Sequence, residues 1–121
     1  MDIESVDRFC LNLPGVTLDL KWQVYLVYSV CDKMFCVRHA DPKVSSAVSF
    51  KVAPERFLEL TDRPGIRPAP YLARAHWVQM ESPALLDDAT LTHLLAQSYL
   101  MVRAKLSKKV QSGLATYLPQ P

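Results

Sequence analysis

Apolar positions along the chain change period several times, and the changes mark out the elements. Ile3, Val6, Phe9, Cys10 and Leu13 recur at three- and four-residue steps, which predicts one amphipathic helix. Asp2 stands where an N-cap belongs, and Glu4 and Asp7 sit near the helix start, where the dipole favours negative charge. Leu13-Pro14-Gly15 ends the helix, because Pro14 disfavours helical geometry at Leu13 and Gly15 permits a sharp turn. From Lys21 the period is two. Trp22, Val24, Leu26, Tyr28 and Val30 are predicted to face inward, with Gln23, Tyr25, Val27 and Ser29 outward. A turn at Cys31-Asp32-Lys33 leads into a strand from Met34 to His39, with Phe35 and Val37 inward and Cys36 and Arg38 outward. Ala40-Asp41-Pro42-Lys43 breaks the sheet. Ala47 to Val52 then alternates again, placing Val48, Phe50 and Val52 inward and Ser49 and Lys51 outward.

Pro54 suits the first turn of a short helix to Leu60, since the N–H it lacks is not needed there. His76 to Met80 reads as another strand. Asp87 caps the longest helix, whose buried stripe is Leu91, Leu94, Leu95, Ser98, Tyr99, Val102 and Leu106. Ser107 caps a short terminal helix ending near Gly113. The order is α-β-β-β-α-loop-β-α-α in a single domain over residues 1–121. The expected class is α+β, an antiparallel sheet with helices packed on one face and the other face solvated.

Composition adds bounds. With 121 residues, half of them apolar, the chain can bury one core. The longest apolar run, Val24 to Val30, is far short of the ~20 residues of a membrane span. Met1-Asp2-Ile3-Glu4 lacks the basic and apolar regions of a signal peptide, so the cytoplasm is the expected location and no membrane is expected as partner. Cys10, Cys31 and Cys36 are an odd number, against a disulfide framework. Cys31, Cys36 and His39 lack a fourth ligand at zinc spacing, so neither metal nor cofactor is expected. Net charge is +2 but alternates along the chain: −3 over residues 1–32, +4 over 33–80, −3 over 81–102 and +4 over 103–121. Two basic segments separated by acidic ones imply a surface with a positive side.

Candidate chemistry is sparse. His39, His76 and His93 have no neighbouring Cys, Ser or carboxylate in a nucleophile arrangement, and three glycines build no phosphate-cradling loop. No enzyme is expected. The stretch Arg63 to Trp77 departs furthest from helix or strand composition, with three of the nine prolines and three of the seven arginines. Its prolines would hold the path that presents Arg67 and Arg74, whose guanidinium groups match phosphate or carboxylate. The outward sheet face, with Gln23, Tyr25, Arg38, Ser49 and Lys51, has the make-up of a nucleic-acid platform. Lys33 and Lys43 stand at turn tips.

Phe9-Cys10-Leu11-Asn12-Leu13-Pro14-Gly15-Val16-Thr17, then Trp22, then Pro68-Ala69-Pro70-Tyr71-Leu72-Ala73-Arg74 with Trp77, then Ser98-Tyr99 and Lys105-Leu106, together resemble the MmcQ/YjbR family over nearly the whole chain. The resemblance implies a fold of the CyaY/frataxin type and DNA binding by a "double wing" of hairpins. Family hairpins commonly carry a glycine that Cys31-Asp32-Lys33 lacks. Frataxin-like kinship also raises iron handling, but Asp2, Glu4, Asp7 and Asp19 are too scattered to hold hard cations. The expected function is therefore non-enzymatic binding of double-stranded DNA by a monomer, through Lys33, Arg38, Lys43, Lys51, Arg67 and Arg74. The alternative is a ligand- or protein-binding pocket lined by Pro68, Pro70, Tyr71, Arg74, Trp77 and Tyr99.

Overall fold

The computed structural model describes residues 1–117. Helix α1 (Ile3–Leu11) starts at Asp2, whose carboxylate accepts the Ser5 amide at 2.8 Å and the Ser5 hydroxyl at 2.7 Å. Those bonds, the hydroxyl's first, hold the Asp2 carboxyl below its ordinary pKa. Six strands follow in one antiparallel sheet: β1 (Val16–Lys21), β2 (Tyr25–Val30), β3 (Lys33–His39), β4 (Val48–Lys51), β5 (Ile66–Pro68) and β6 (Trp77–Met80). Their spatial order is β1-β2-β3-β4-β6-β5. Helix α2 (Pro54–Thr61) lies between β4 and β5 in sequence and packs on β5 and β6. Helix α3 (Asp88–Arg103), capped by Asp87, packs across β2, β3 and β4, and α4 (Lys108–Ser112) is capped by Ser107. The α+β class is as expected, with the core between sheet and helices.

Two strands go beyond the expected order. In β1, Val16, Leu18 and Leu20 alternate with Thr17, Asp19 and Lys21, but at the sheet edge its outer half stays exposed. Strand β5 is three residues long and ends on Pro68, which an edge position tolerates because no neighbour needs its N–H. The strand expected from Lys21 onward is split. Trp22 and Gln23 take positive φ (53° and 68°) in the β1–β2 turn, so Trp22 and Val24 are exposed rather than inward. His76, expected in the last strand, ends a short 3-10 turn (Ala73–Ala75) in left-handed geometry. At the β2–β3 turn Cys31 and Asp32 both have positive φ (47° and 67°), the pattern of a two-residue type I′ hairpin made without glycine.

Register explains which side chains are buried. Leu18, Tyr28, Cys36, Phe50, Val78 and Pro68 stand side by side across all six strands, and so do Leu20, Leu26, Arg38, Val48, Met80 and Ile66. Both rows face the helices. The expected alternation in β3 fails at a β-bulge: Tyr28 pairs with Cys36 but Ser29 pairs with Met34, leaving Phe35 as the extra residue. Phe35 and Cys36 therefore both enter the core, and every later residue of β3 changes face. Arg38 turns inward. Val27 and Ser29, expected outward, are on the opposite face as predicted but are buried there.

Helix α3 satisfies backbone groups where the β3–β4 ladder ends. The Ser98 hydroxyl donates to the Phe35 carbonyl (2.6 Å) and accepts from the Lys51 amide (3.0 Å), bridging the two strands one residue beyond the Cys36–Phe50 pair. Replacing Ser98 by Ala strands two backbone groups beneath a helix and is expected to cost roughly 2–3 kcal/mol. By contrast Ser29, whose buried hydroxyl has no partner, is expected to tolerate Ala within about 0.5 kcal/mol. Urea unfolding of the two variants measures the difference, and equal losses would contradict the bridging role of Ser98.

Candidate functional site

The expected site residues fall into separate places. Arg38 is 7% exposed and faces α1. Its Nε donates to Asp7 Oδ1 and to the Tyr28 hydroxyl (3.0 Å each), its Nη2 to Asp7 Oδ2 (2.9 Å), and its Nη1 to the His39 carbonyl (2.9 Å). The Tyr28 hydroxyl itself donates to Asp7. All three donor nitrogens are committed, so the bulge that moved Arg38 off the outer face also removes it from any phosphate-binding surface. Lys43 is exposed in the loop before β4, at the other end of the sheet from Lys33.

Lys33 and Lys51 share one end. Strand β3 begins at Lys33 and its antiparallel neighbour β4 finishes at Lys51. The Lys51 ammonium donates to the Ala75 carbonyl at 2.6 Å, which ties the exposed Arg74 turn to the same end. Helix α3 runs from the Ser98 bridge toward Lys105, whose charge acts on Lys51. Partial burial, and then repulsion from Lys105, lower the Lys51 pKa from its ordinary value. None of Lys33, Lys51, Arg74 and Lys105 forms an ion pair among the described residues. Lys105 was not singled out as a contact from the sequence. The one hint was that residues 33–80 and 103–121 are both basic, and only the packing of α3 on β3 and β4 joins them.

The six expected pocket residues do not converge. Tyr71 projects fully into solvent, while Pro68 and Pro70 are exposed. Trp77 is buried opposite Lys51. Tyr99 is buried on the helix side, where its hydroxyl donates to the Pro14 carbonyl (2.5 Å) and accepts from Arg103 Nη1 (2.8 Å). A concave site exists elsewhere. The outer-face row Asp19, Val27, Val37, Ser49, Gln79 and Arg67 crosses the whole sheet. Below it, toward the end away from Lys33, lies a groove of about 590 Å³ lined by Tyr25, Ala47, Gly65, Arg67, Gln79 and Glu81, among others. Arg67 belongs to this groove: its Nε and Nη2 both donate to Gln79 Oε1 (2.8 and 2.5 Å).

The histidines and thiols are accounted for locally. His39 Nδ1 accepts the Asp41 amide (2.9 Å), His76 meets the Phe57 ring edge-on at 5.6 Å, and His93 is exposed on α3. Burial, with Cys10 beside it, pushes the Cys36 thiol up and keeps it protonated. Among the described residues no three His, Cys, Asp or Glu side chains gather as a metal site.

Comparison with known proteins gives the lineage. The YjbR family model matches residues 11–101. The crystal structure of a Deinococcus radiodurans protein with a DUF419 domain superposes with a TM-score of 0.81 at 25% identity, over 93% of this chain and 86% of that one. A Pseudomonas syringae protein has a TM-score of 0.69 at 20% identity, over 84% of this chain and 99% of that one, a likeness of fold. No curated protein matches the chain.

Arg38→Ala should destabilise the fold by roughly 2–4 kcal/mol, because it leaves the Asp7 carboxylate without its cationic partner, held by the Tyr28 hydroxyl alone. Asp7 keeps 27% of its side chain in water, which holds the loss below that of a fully enclosed pair. Thermal unfolding tests it, and a variant as stable as the parent would return Arg38 to the candidate contacts.

Proposed function

The chain belongs to the YjbR family, and we propose that it binds duplex DNA by its phosphate backbone, through Lys33, Lys51, Arg74 and Lys105 at one end of the sheet. The observation that carries the reading is that these cations, from four separate pieces of chain, stand at the same end of the sheet. They come from the β2–β3 hairpin, the end of β4, the turn before β6 and the segment after α3. Lys51 and Lys105 repel each other in the unbound protein, and a polyanion offsets that repulsion. A hairpin tip and a short turn are also shapes that reach a groove-lined backbone without reading bases. As proposed, the protein acts as a monomer in the cytoplasm, without cofactor or catalytic step, and binds with little sequence preference.

Four neutralised phosphates give log affinity against log salt a slope of about −3.6. Lys51→Gln and Lys105→Gln should each make the slope shallower by about 0.9, while Arg67→Gln, in the groove, should leave it unchanged. Fluorescence anisotropy with a duplex across a salt series reads these slopes; no binding at ~50 mM salt, where backbone contacts are strongest, sinks the proposal.

Proton linkage supplies an independent check. The Lys51 pKa lies below 10.5 in the free protein, and a bound phosphate raises it again. Between those two values the complex holds more protons than the free protein, so binding takes up protons there and affinity falls as pH rises through the window. Calorimetry in buffers of different ionisation enthalpy should show that uptake in the alkaline range just below the ordinary lysine value, and Lys51→Gln should abolish it.

A further inference from the structure

The groove at the opposite end of the sheet has a chemistry of its own. Ala47 supplies only a methyl group to the sheet side of the groove, while the Leu85 and Glu81 side chains cover Gly65. One wall is the Tyr25 ring, held in orientation by edge-on contacts from Trp22 (6.3 Å) and His39 (5.9 Å). The other wall is polar. Gln79 Oε1 holds two nitrogens of Arg67, which fixes the guanidinium plane and leaves Nη1 without a partner among the described residues. Glu81, the residue after β6, lays the end of its side chain against Gly65. Arg67 and Glu81 line one groove yet form no ion pair with each other. The polar wall thus offers donors from Arg67 and acceptors from Glu81 to one groove.

We propose that this groove binds an unpaired guanine base, stacked on Tyr25. Guanine displays the acceptors O6 and N7 beside the donors N1–H and N2–H₂. Arg67 donates to O6 and N7, and the Glu81 carboxylate accepts from N1–H and N2–H₂. Adenine carries an amino group where guanine has O6 and a bare N1 where guanine has a proton, so it meets a donor with a donor and an acceptor with an acceptor. Thymine and cytosine lack N7 and half the stacking area. A volume of about 590 Å³ is of the size that encloses a small ligand. The Watson–Crick edge must be free, so the base comes from a free nucleotide or from unpaired nucleic acid, never from intact duplex. The site is independent of the lysines at the other end.

The test is a titration of the full-length protein, followed by amide NMR shifts, with guanosine monophosphate, adenosine monophosphate and two oligo-dT strands carrying one central guanine or one adenine. Guanosine monophosphate should shift Tyr25, Gln79 and Glu81 and bind about tenfold tighter than its adenine counterpart. Glu81→Gln, an exposed and conservative change, should erase that preference, and Tyr25→Leu should weaken all four ligands. Preference in the strands alone identifies unpaired nucleic acid as the source; preference in both formats identifies the free nucleotide as sufficient. Equal affinity for guanine and adenine in both formats, or a preference that survives Glu81→Gln, overturns the assignment. Lys51→Gln should leave the preference intact while weakening duplex binding, so failure of one site does not pass for failure of the other.

Discussion

One extra residue in β3 decides how the sheet meets its helices. With Phe35 bulged, Cys36 and Arg38 lie on the core side, and Arg38 lands opposite Asp7 of α1. The guanidinium then bonds α1, the Tyr28 hydroxyl and its own strand at once, which pins the helix to the sheet at one orientation. The bulged Phe35 also offers its carbonyl to Ser98, which ties α3 to β3 and β4. Without the bulge a cation would face solvent and the carboxylate would lack its partner. The docking of α1 thus depends on a single irregularity in a hydrogen-bond ladder.

That arrangement also sorts the charges. Arg38, neutralised by Asp7, no longer adds to the positive surface, whereas Lys51 and Lys105, far apart in the chain, are brought to one end. Arg67 goes to the other end, where Gln79 orients it and Glu81 stands near it. The sheet therefore separates two chemistries: unpaired cations at one end, and a donor–acceptor pair beside an aromatic ring at the other. Fold likeness to the Deinococcus radiodurans and Pseudomonas syringae proteins speaks to the scaffold, while function belongs to these particular side chains.

Much of the architecture was legible from local pattern alone. Both main helices, their Asp caps, the hairpin at Cys31-Asp32 and the family resemblance rest on residues within a few positions of one another, where periodicity and capping chemistry act directly. Edge strands were harder. In β1 the alternation of Val16, Leu18 and Leu20 is plain, but an edge strand buries little and its composition reads as loop; in β5, Pro68 hides three paired residues.

The site was legible only in outline. Lys33 and Arg74 were identifiable as exposed cations and Lys51 as an outward one, because a long charged side chain at a turn or strand end keeps its head in water. Arg38 was misplaced, since a bulge is set by what packs against both strands and leaves no local composition signal. The groove was invisible for a related reason: Ala47, Gly65, Gln79 and Glu81 acquire meaning only when strand register lays them beside Tyr25 and Arg67. Sequence by itself determined the elements and their chemistry, because those follow from neighbours along the chain. Which face each side chain occupies, and which charges meet, was decided by tertiary structure, because strand register couples residues that no local pattern connects.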